Sequence, residues 1–218
     1  MTYSICTTNG TQHGIAIATK ALSVGSSAPQ LSRHGGLCSQ SITNVPLGVR
    51  AARLVDGGAG VDAAVSTLLA RDGDASLRQI HGVDQWGNSI VHSGEDCVDW
   101  FGHIEKKNYT IAGNMLEGKH VIEVMADTFE DTKDMSMGDR LINTLLAGEN
   151  AGGDKRDENA QSAAIKIYDP DNPAIHHDIR VDDHEDPVNE LSRIFNIGKE
   201  QNKDWKEKFP KSKLQRLP

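Results

Sequence analysis

The chain opens with Ser4–Thr8 (SICTT) and Gly14–Ala18 (GIAIA), two short segments that predict neighbouring β-strands. The first alternates loosely between polar and apolar residues and ends at Asn9-Gly10, a strong signal for a tight turn. The second is a continuous apolar run bounded by Gly14 and Lys20, which is typical of a strand buried on both faces. We therefore expect the two strands to pair side by side.

Strands and helices follow in separate blocks along the rest of the chain, which favours packed layers over a repeated strand–helix–strand winding. Two sheets between two helix layers would bury the apolar segments on both faces. This predicts an α+β fold, a four-layer αββα sandwich with two mainly antiparallel sheets. The expected elements are a strand at Gly36–Gln40, two helices between Asn44 and Leu69, a hairpin at Leu77–His92, a strand at Tyr109–Gly113, helices at Lys119–Asp131 and Met137–Glu149, strands at Gln161–Tyr168 and His177–Val181, and a helix that Asp186 caps and Pro187 opens.

Length and local composition indicate one domain followed by a short tail. The chain has 218 residues, which fit a single ordinary domain, and we place that domain at residues 1–198. Residues 199–218 hold seven Lys or Arg against three acidic residues and include two prolines. We expect this basic segment to be a solvated extension.

Charge and cysteine content argue against several functional classes. With 23 basic and 31 acidic residues the net charge is −8, so we expect no nucleic-acid partner, because binding phosphates requires a basic face. No apolar run approaches the roughly 18 residues of a membrane span, and no signal-peptide pattern opens the chain. The three cysteines Cys6, Cys38 and Cys97 are odd in number and lack metal-ligand spacing, which favours a reducing cytoplasm.

Thr2 is the first candidate for catalysis. Its side chain is small, so methionine aminopeptidase can remove Met1 and leave Thr2 with a free α-amine. The hydroxyl would then attack a carbonyl while the amine takes its proton, since an α-amine titrates near roughly 7.7–8.0. A chain that begins Met-Thr for no catalytic reason is the alternative interpretation.

Six segments, taken together, carry a family resemblance. They are Met1–Ile5 (MTYSI), Gly14–Lys20 (GIAIATK), Gly113–Leu116 (GNML), Ala151–Arg156 (AGGDKR), Gln161–Ala164 (QSAA) and Arg180–His184 (RVDDH). In this order they resemble the family called domain of unknown function 1028, over about residues 1–198. The resemblance implies membership of the N-terminal-nucleophile (Ntn) hydrolase superfamily, whose fold is a four-layer αββα sandwich. Members of that superfamily use an amino-terminal Thr, Ser or Cys to cleave amide bonds.

The resemblance also suggests residues that would assist Thr2. A charged residue at the position of Lys20 lies near the nucleophile in related proteins, where it would lower the pKa of the Thr2 amine; a strand-end lysine in solvent is the alternative. Backbone N–H groups at Gln40-Ser41, where a strand approaches the Asn44 helix, would form an oxyanion hole. The Asn114 amide could serve instead, or it is an ordinary turn asparagine.

Substrate contacts are expected in the glycine-rich segment before the strand at Gln161–Tyr168. Asp154 and Arg156 would bind the amino and carboxylate groups of a substrate, because Arg can hold a carboxylate with two hydrogen bonds. The spacing of a phosphate-binding loop is absent, and an ordinary charged turn is the alternative. Ser162 would hydrogen-bond the Thr2 amine, unless it is a strand-edge serine satisfied by backbone.

Two late clusters contain residue types that bind metals, His176-His177-Asp178 and Asp182–Asp186. Neighbouring strand residues point to opposite faces, so His176 and His177 should diverge, and Asp186 already has a role as a helix cap. We therefore predict no metal and no cofactor. Cys6 lacks a basic partner in the sequence, which argues against a thiol nucleophile.

These observations predict an amidohydrolase that cleaves the C–N bond of a small amide or peptide-like substrate, with Thr2 as nucleophile. Two alternatives stay open: a non-catalytic small-molecule binding module on the same fold, and a metal-dependent hydrolase that uses the late His/Asp clusters. We expect a cytoplasmic homodimer with neither a nucleic-acid nor a membrane partner.

Overall fold

The computed structural model describes residues 1–154 and 160–208, which form ten strands and six α-helices. The strands are β1 (Thr2–Thr8), β2 (His13–Thr19), β3 (Pro29–Ser32), β4 (Gly35–Ser41), β5 (Arg78–Asp84), β6 (Ser89–Ser93), β7 (Gly102–Lys106), β8 (Tyr109–Asn114), β9 (Ser162–Tyr168) and β10 (Asp178–Val181). The helices are α1 (Val24–Ser27), α2 (Val45–Asp56), α3 (Val61–Leu69), α4 (Lys119–Asp131), α5 (Met137–Asn150) and α6 (Pro187–Lys208). The fold is mixed α+β with two antiparallel sheets, as the sequence predicts.

The larger sheet has six strands in the order β10-β9-β2-β1-β8-β7. Its middle contains the hairpin expected from the opening segments, because β1 pairs antiparallel with β2. On its other side β1 pairs with β8, so that Thr2 lies between Thr19 and Asn114. Every residue of β1 and β2 is buried.

The smaller sheet has the order β3-β4-β5-β6. Its two central strands are those predicted near Gly36–Gln40 and Leu77–Val83, whereas β3 is an addition that sequence patterning did not predict. In the larger sheet the edge strand β7 was missed in the same way. Both are edge strands of four or five residues, so neither carries a long apolar alternation.

Three hydrophobic clusters hold these elements together. One joins the six-stranded sheet to helices α4, α5 and α6 and contains Tyr3 and Ile5 of β1. A second joins the four-stranded sheet to α2 and α3. The third lies between the sheets and contains Cys6 of β1 and Cys38 of β4. Because side chains alternate along a strand, β1 presents odd-numbered residues to the helices and even-numbered residues to the other sheet.

The carboxyl-terminal helix is longer than predicted, since α6 continues past residue 198 to Lys208. The start of the expected basic tail is therefore helical. Asp186 accepts a hydrogen bond from the Asn189 N–H, which confirms its role as a helix cap. Within residues 1–154 and 160–208, none of the helices combines the length and the apolar character that crossing a bilayer requires.

Candidate active site

Thr2 lies at the start of β1 with its side chain turned toward the space between the two sheets. The residue is 8% exposed, and its hydroxyl oxygen is 2.8 Å from the hydroxyl oxygen of Thr19. The two side chains meet because the β1–β2 register places Thr2 directly opposite Thr19. A hydroxyl at the very beginning of the chain is thus held in a fixed, mostly buried position.

Met1 is anchored at both of its backbone ends. Its carbonyl oxygen accepts hydrogen bonds from the Thr19 hydroxyl at 2.6 Å and from the Lys20 N–H at 3.2 Å. Its ammonium nitrogen is 3.8 Å from the Asp154 carboxylate and 3.3 Å from the Met115 sulfur. The residue is only 5% exposed, so an aminopeptidase can remove it from the unfolded chain but not from the folded one.

The hydrogen-bond directions at Thr2 follow from these contacts. A threonine hydroxyl has one proton, and Thr19 donates its proton to the Met1 carbonyl. The short contact between the two hydroxyls therefore requires Thr2 to donate to Thr19. Removal of Met1 would free the Thr19 proton and the Lys20 N–H, two donors already aimed at a carbonyl position next to Thr2.

A network of buried amides lies between the sheets, beside Thr2. The Asn114 side chain, opposite Thr2 in β8, donates to the side-chain oxygen Oε1 of Gln79 at 3.0 Å. The Gln40 side-chain amide donates to the same oxygen at 2.8 Å. Gln79 in turn donates to the Gly113 carbonyl, and Ser4 donates to Gln40. These residues are at most 2% exposed, so the amide orientations are fixed by their partners.

A second polar group continues along β1 beyond Ser4. The Ser4 hydroxyl is 2.7 Å from His81 Nε2, and His81 Nδ1 is 2.8 Å from the Thr110 hydroxyl. The Cys6 and Cys38 sulfurs are 3.8 Å apart beside this histidine. Burial raises the pKa of the Cys6 thiol well above its usual value. Burial also opposes ionisation of Cys38, but hydrogen bonds from Cys6, His81 and Ser4 outweigh it and lower the pKa of Cys38 to about 6.

Thr19, not Lys20, is the residue of β2 that faces Thr2. Lys20 follows the last residue of β2, its side chain is exposed, and its N–H binds the Met1 carbonyl. Lys20 lies one residue past the position that pairs with Thr2 and just beyond the end of β2. Sequence reasoning missed Thr19, although the hairpin register would have identified it.

The other predicted residues lie either near the amino terminus of the chain or in the structure that surrounds it. Gln40 lies in the buried network, and Ser41 follows it at the end of β4, half-buried and with a φ of 66°. Asp154 is fully buried beside the Met1 ammonium. The Ser162 hydroxyl donates to the Ala21 carbonyl and accepts from the Val24 N–H, so it fixes the chain after β2. Arg156 lies outside the described residues.

The late histidines and acids have separate structural contacts and do not form one site. His176 and His177 occupy a short 3₁₀ turn, and their rings are in contact, contrary to the expected divergence. Asp182 pairs with Arg180, and Asp183 accepts from Gln161. Among the residues that the structure describes, Cys6, Cys38 and His81 form the single group of three such side chains close enough to share a metal ion.

Comparison with known proteins agrees with this architecture. A family model described as "Family of unknown function (DUF1028)" matches residues 2–191. The crystal structure of protein SPO2555 from Silicibacter pomeroyi, assigned to the same family model, is similar with a TM-score of 0.80 and 27% sequence identity. The similarity covers 90% of this chain and 85% of that one. No curated protein matches this chain.

Proposed function

The chain belongs to the DUF1028 family, whose function is unknown, and we propose that it is an amidohydrolase with Thr2 as an N-terminal nucleophile. The substrate would be a small amide or peptide-like molecule, and the active form would lack Met1. The observation that carries the proposal is the pair of donors, the Thr19 hydroxyl and the Lys20 N–H, on the carbonyl attached to the Thr2 nitrogen.

Those donors suit the chemistry because an amide substrate develops negative charge on its carbonyl oxygen as it is attacked. They are fixed by the β1–β2 pairing, so little reorganisation is needed once Met1 is absent. The Asp154 carboxylate, which the Met1 ammonium contacts, would then face the vacated space. A cationic group on the substrate would occupy that position.

The reaction would proceed in two steps. The Thr2 hydroxyl oxygen attacks the substrate carbonyl carbon while the Thr2 α-amine takes the hydroxyl proton. The amide C–N bond then breaks, the proton passes to the leaving nitrogen, and an ester forms on Thr2. A water molecule gives a proton to the same amine and attacks that ester. The C–O bond to Thr2 then breaks as the amine returns the proton to the Thr2 oxygen, and the acid product leaves. Thr19 would donate to the substrate carbonyl oxygen, and its contact with Thr2 would also position the nucleophile.

The layer arrangement supports the same proposal. Helices contact the outer side of each antiparallel sheet and a hydrophobic cluster joins the two sheets, which we interpret as the four-layer αββα sandwich of the Ntn-hydrolase superfamily. Thr2 would then lie where that superfamily has its nucleophile.

A binding module on the same fold is the second candidate, and the burial of Met1 favours it. With Met1 in place the Thr2 nitrogen is an amide that cannot act as a base, while the fold and its buried network are complete. The fraction of chains that retain Met1 therefore separates the two candidates.

Intact mass spectrometry before and after incubation with a β-lactone tests the proposal. We expect loss of Met1 and one adduct on Thr2 in the wild-type chain. The variant Thr2→Ala should also lose Met1, since alanine is small, but should form no adduct. Thr8→Ala, a buried threonine at the opposite end of β1, is the matched control and should react normally. Complete retention of Met1 with no adduct would contradict the catalytic proposal.

A further inference from the structure

Cys6, Cys38 and His81 form a cluster that the proposed hydrolysis does not use. They come from β1, β4 and β5 and meet between the two sheets. All three are fully buried, and their potential ligand atoms lie within 4.8 Å of one another. We propose that this cluster is a structural zinc site, with Cys6, Cys38 and His81 as ligands and the Ser4 hydroxyl at the fourth position.

The sulfur spacing fits this ion. Zinc–sulfur bonds are about 2.3 Å long in tetrahedral sites, which places two sulfur ligands about 3.8 Å from each other. The Cys6 and Cys38 sulfurs are 3.8 Å apart without any adjustment. This pair spans the inter-sheet space, so the metal would join the two sheets directly.

The surroundings of His81 are those of a ligand histidine. Ser4 and Thr110 each place a hydroxyl on one of its two ring nitrogens. With Nε2 as the ligand atom, next to Ser4, Nδ1 keeps the Thr110 hydroxyl as a partner that fixes the ring, as is usual for metal-bound histidines. The Ser4 oxygen is beside the cluster already, 2.7 Å from Nε2.

Charge balance selects a divalent ion. Binding converts two thiols to thiolates and releases two protons, so Zn²⁺ with Cys6, Cys38 and neutral His81 has no net charge. Cu⁺ with the same ligands would leave one uncompensated negative charge in a fully buried place, which is costly.

The site is closed to solvent, so the ion must enter during folding. We would unfold the purified chain in denaturant with a reductant and a chelator, and refold it with one equivalent of zinc, with cobalt, or with no metal. Elemental analysis should give one zinc per chain, and the cobalt form should show intense tetrahedral d–d bands with thiolate charge transfer. Free zinc at 100 times its Kd should raise Tm by about 5–10 °C.

Cys97 supplies a matched control, because it is also buried but lies outside the cluster. Cys38→Ala should lose the metal and the Tm increase, whereas Cys97→Ala should keep both. Where Cys38→Ala fails to refold, the cobalt spectrum of the wild-type chain decides alone. Refolded wild-type protein without bound metal, with Tm unchanged by zinc, would overturn the proposal. So would a chain lighter by two hydrogens, since a Cys6–Cys38 disulfide would then occupy the position.

Discussion

Replacing Thr19 with valine tests the central contact of the proposed active site. Valine has nearly the same shape as threonine but lacks the hydroxyl that contacts Thr2 at 2.8 Å and the Met1 carbonyl at 2.6 Å. In the chain without Met1, the loss is one hydrogen bond to the nucleophile and one donor near the reacting carbonyl. Removing one of two donors to a developing oxyanion costs about 2.7–4 kcal/mol, which corresponds to about 10²–10³-fold in rate.

The assay is the rate of β-lactone adduct formation on Thr2, followed by intact mass as a function of pH. Thr19→Val should react about 10²–10³-fold more slowly than the wild-type chain, and Thr19→Ser, which restores the hydroxyl, should recover most of the rate. Thr8→Val removes a buried hydroxyl bonded to His13 at the other end of β1 and controls for general destabilisation. Equal rates for Thr19→Val and the wild-type chain, or an equal decrease in Thr8→Val, would refute the positioning role.

Three further predictions concern stability. Ser162→Ala leaves the buried Val24 N–H without its acceptor, so we expect denaturant unfolding to show a free energy of unfolding lower by about 1–3 kcal/mol. If the adduct rate fell as steeply as in Thr19→Val, Ser162 would instead interact with the Thr2 amine. Tyr3→Phe removes the donor that binds the buried side of Glu149 and should cost about 1–3 kcal/mol, a loss that the double change with Glu149→Gln should reduce and that an unchanged unfolding midpoint would contradict. The Arg78 guanidinium, which contacts Asp72 at 2.9 Å, lowers the pKa of that carboxyl to about 2. This pair therefore stabilises the fold above the unfolded pKa of roughly 3.9, and its effect declines as pH falls toward 2. Asp72→Asn should lower Tm by about 2–4 °C at pH 7 and by clearly less near pH 2, where the carboxyl of the wild-type chain is only partly ionised.

Much of the architecture was predictable because the long elements have strong local signals. The helix at Val45–Asp56 begins after Asn44, whose side chain accepts from the Leu47 N–H. The apolar run of β2 and the turn signal after β1 predict the hairpin that the structure shows. The edge strands β3 and β7 were missed because pairing with a neighbour, more than their own composition, makes them strands.

The site was only partly predictable because it depends on register. Thr2, Asn114 and Gln40 were predicted from residue type and position. The structure places Asn114 opposite Thr2 and joins Asn114 and Gln40 through the Gln79 side chain. The choice between Lys20 and Thr19 required knowing which residue lies opposite Thr2, and a shift of one residue reverses every side chain of the strand. Predicting the Cys6–Cys38–His81 cluster would have required knowing how one sheet packs on the other. The spacing of these three residues in the sequence does not contain that information.

The burial of Met1 links folding to the proposed activity. Since the folded chain exposes only 5% of this residue and binds its carbonyl and ammonium, each molecule must either lose Met1 before β1 pairs with β2 or keep it for as long as it stays folded. A preparation with both forms should therefore contain two fractions that do not interconvert, and the β-lactone adduct should occur in the lighter one alone. Aminopeptidase treatment should convert the heavier fraction only after denaturation and refolding. Conversion without denaturation would show that the first residues of β1 open in the native state, and the fixed geometry assigned to the Thr19 and Lys20 donors would then be incorrect.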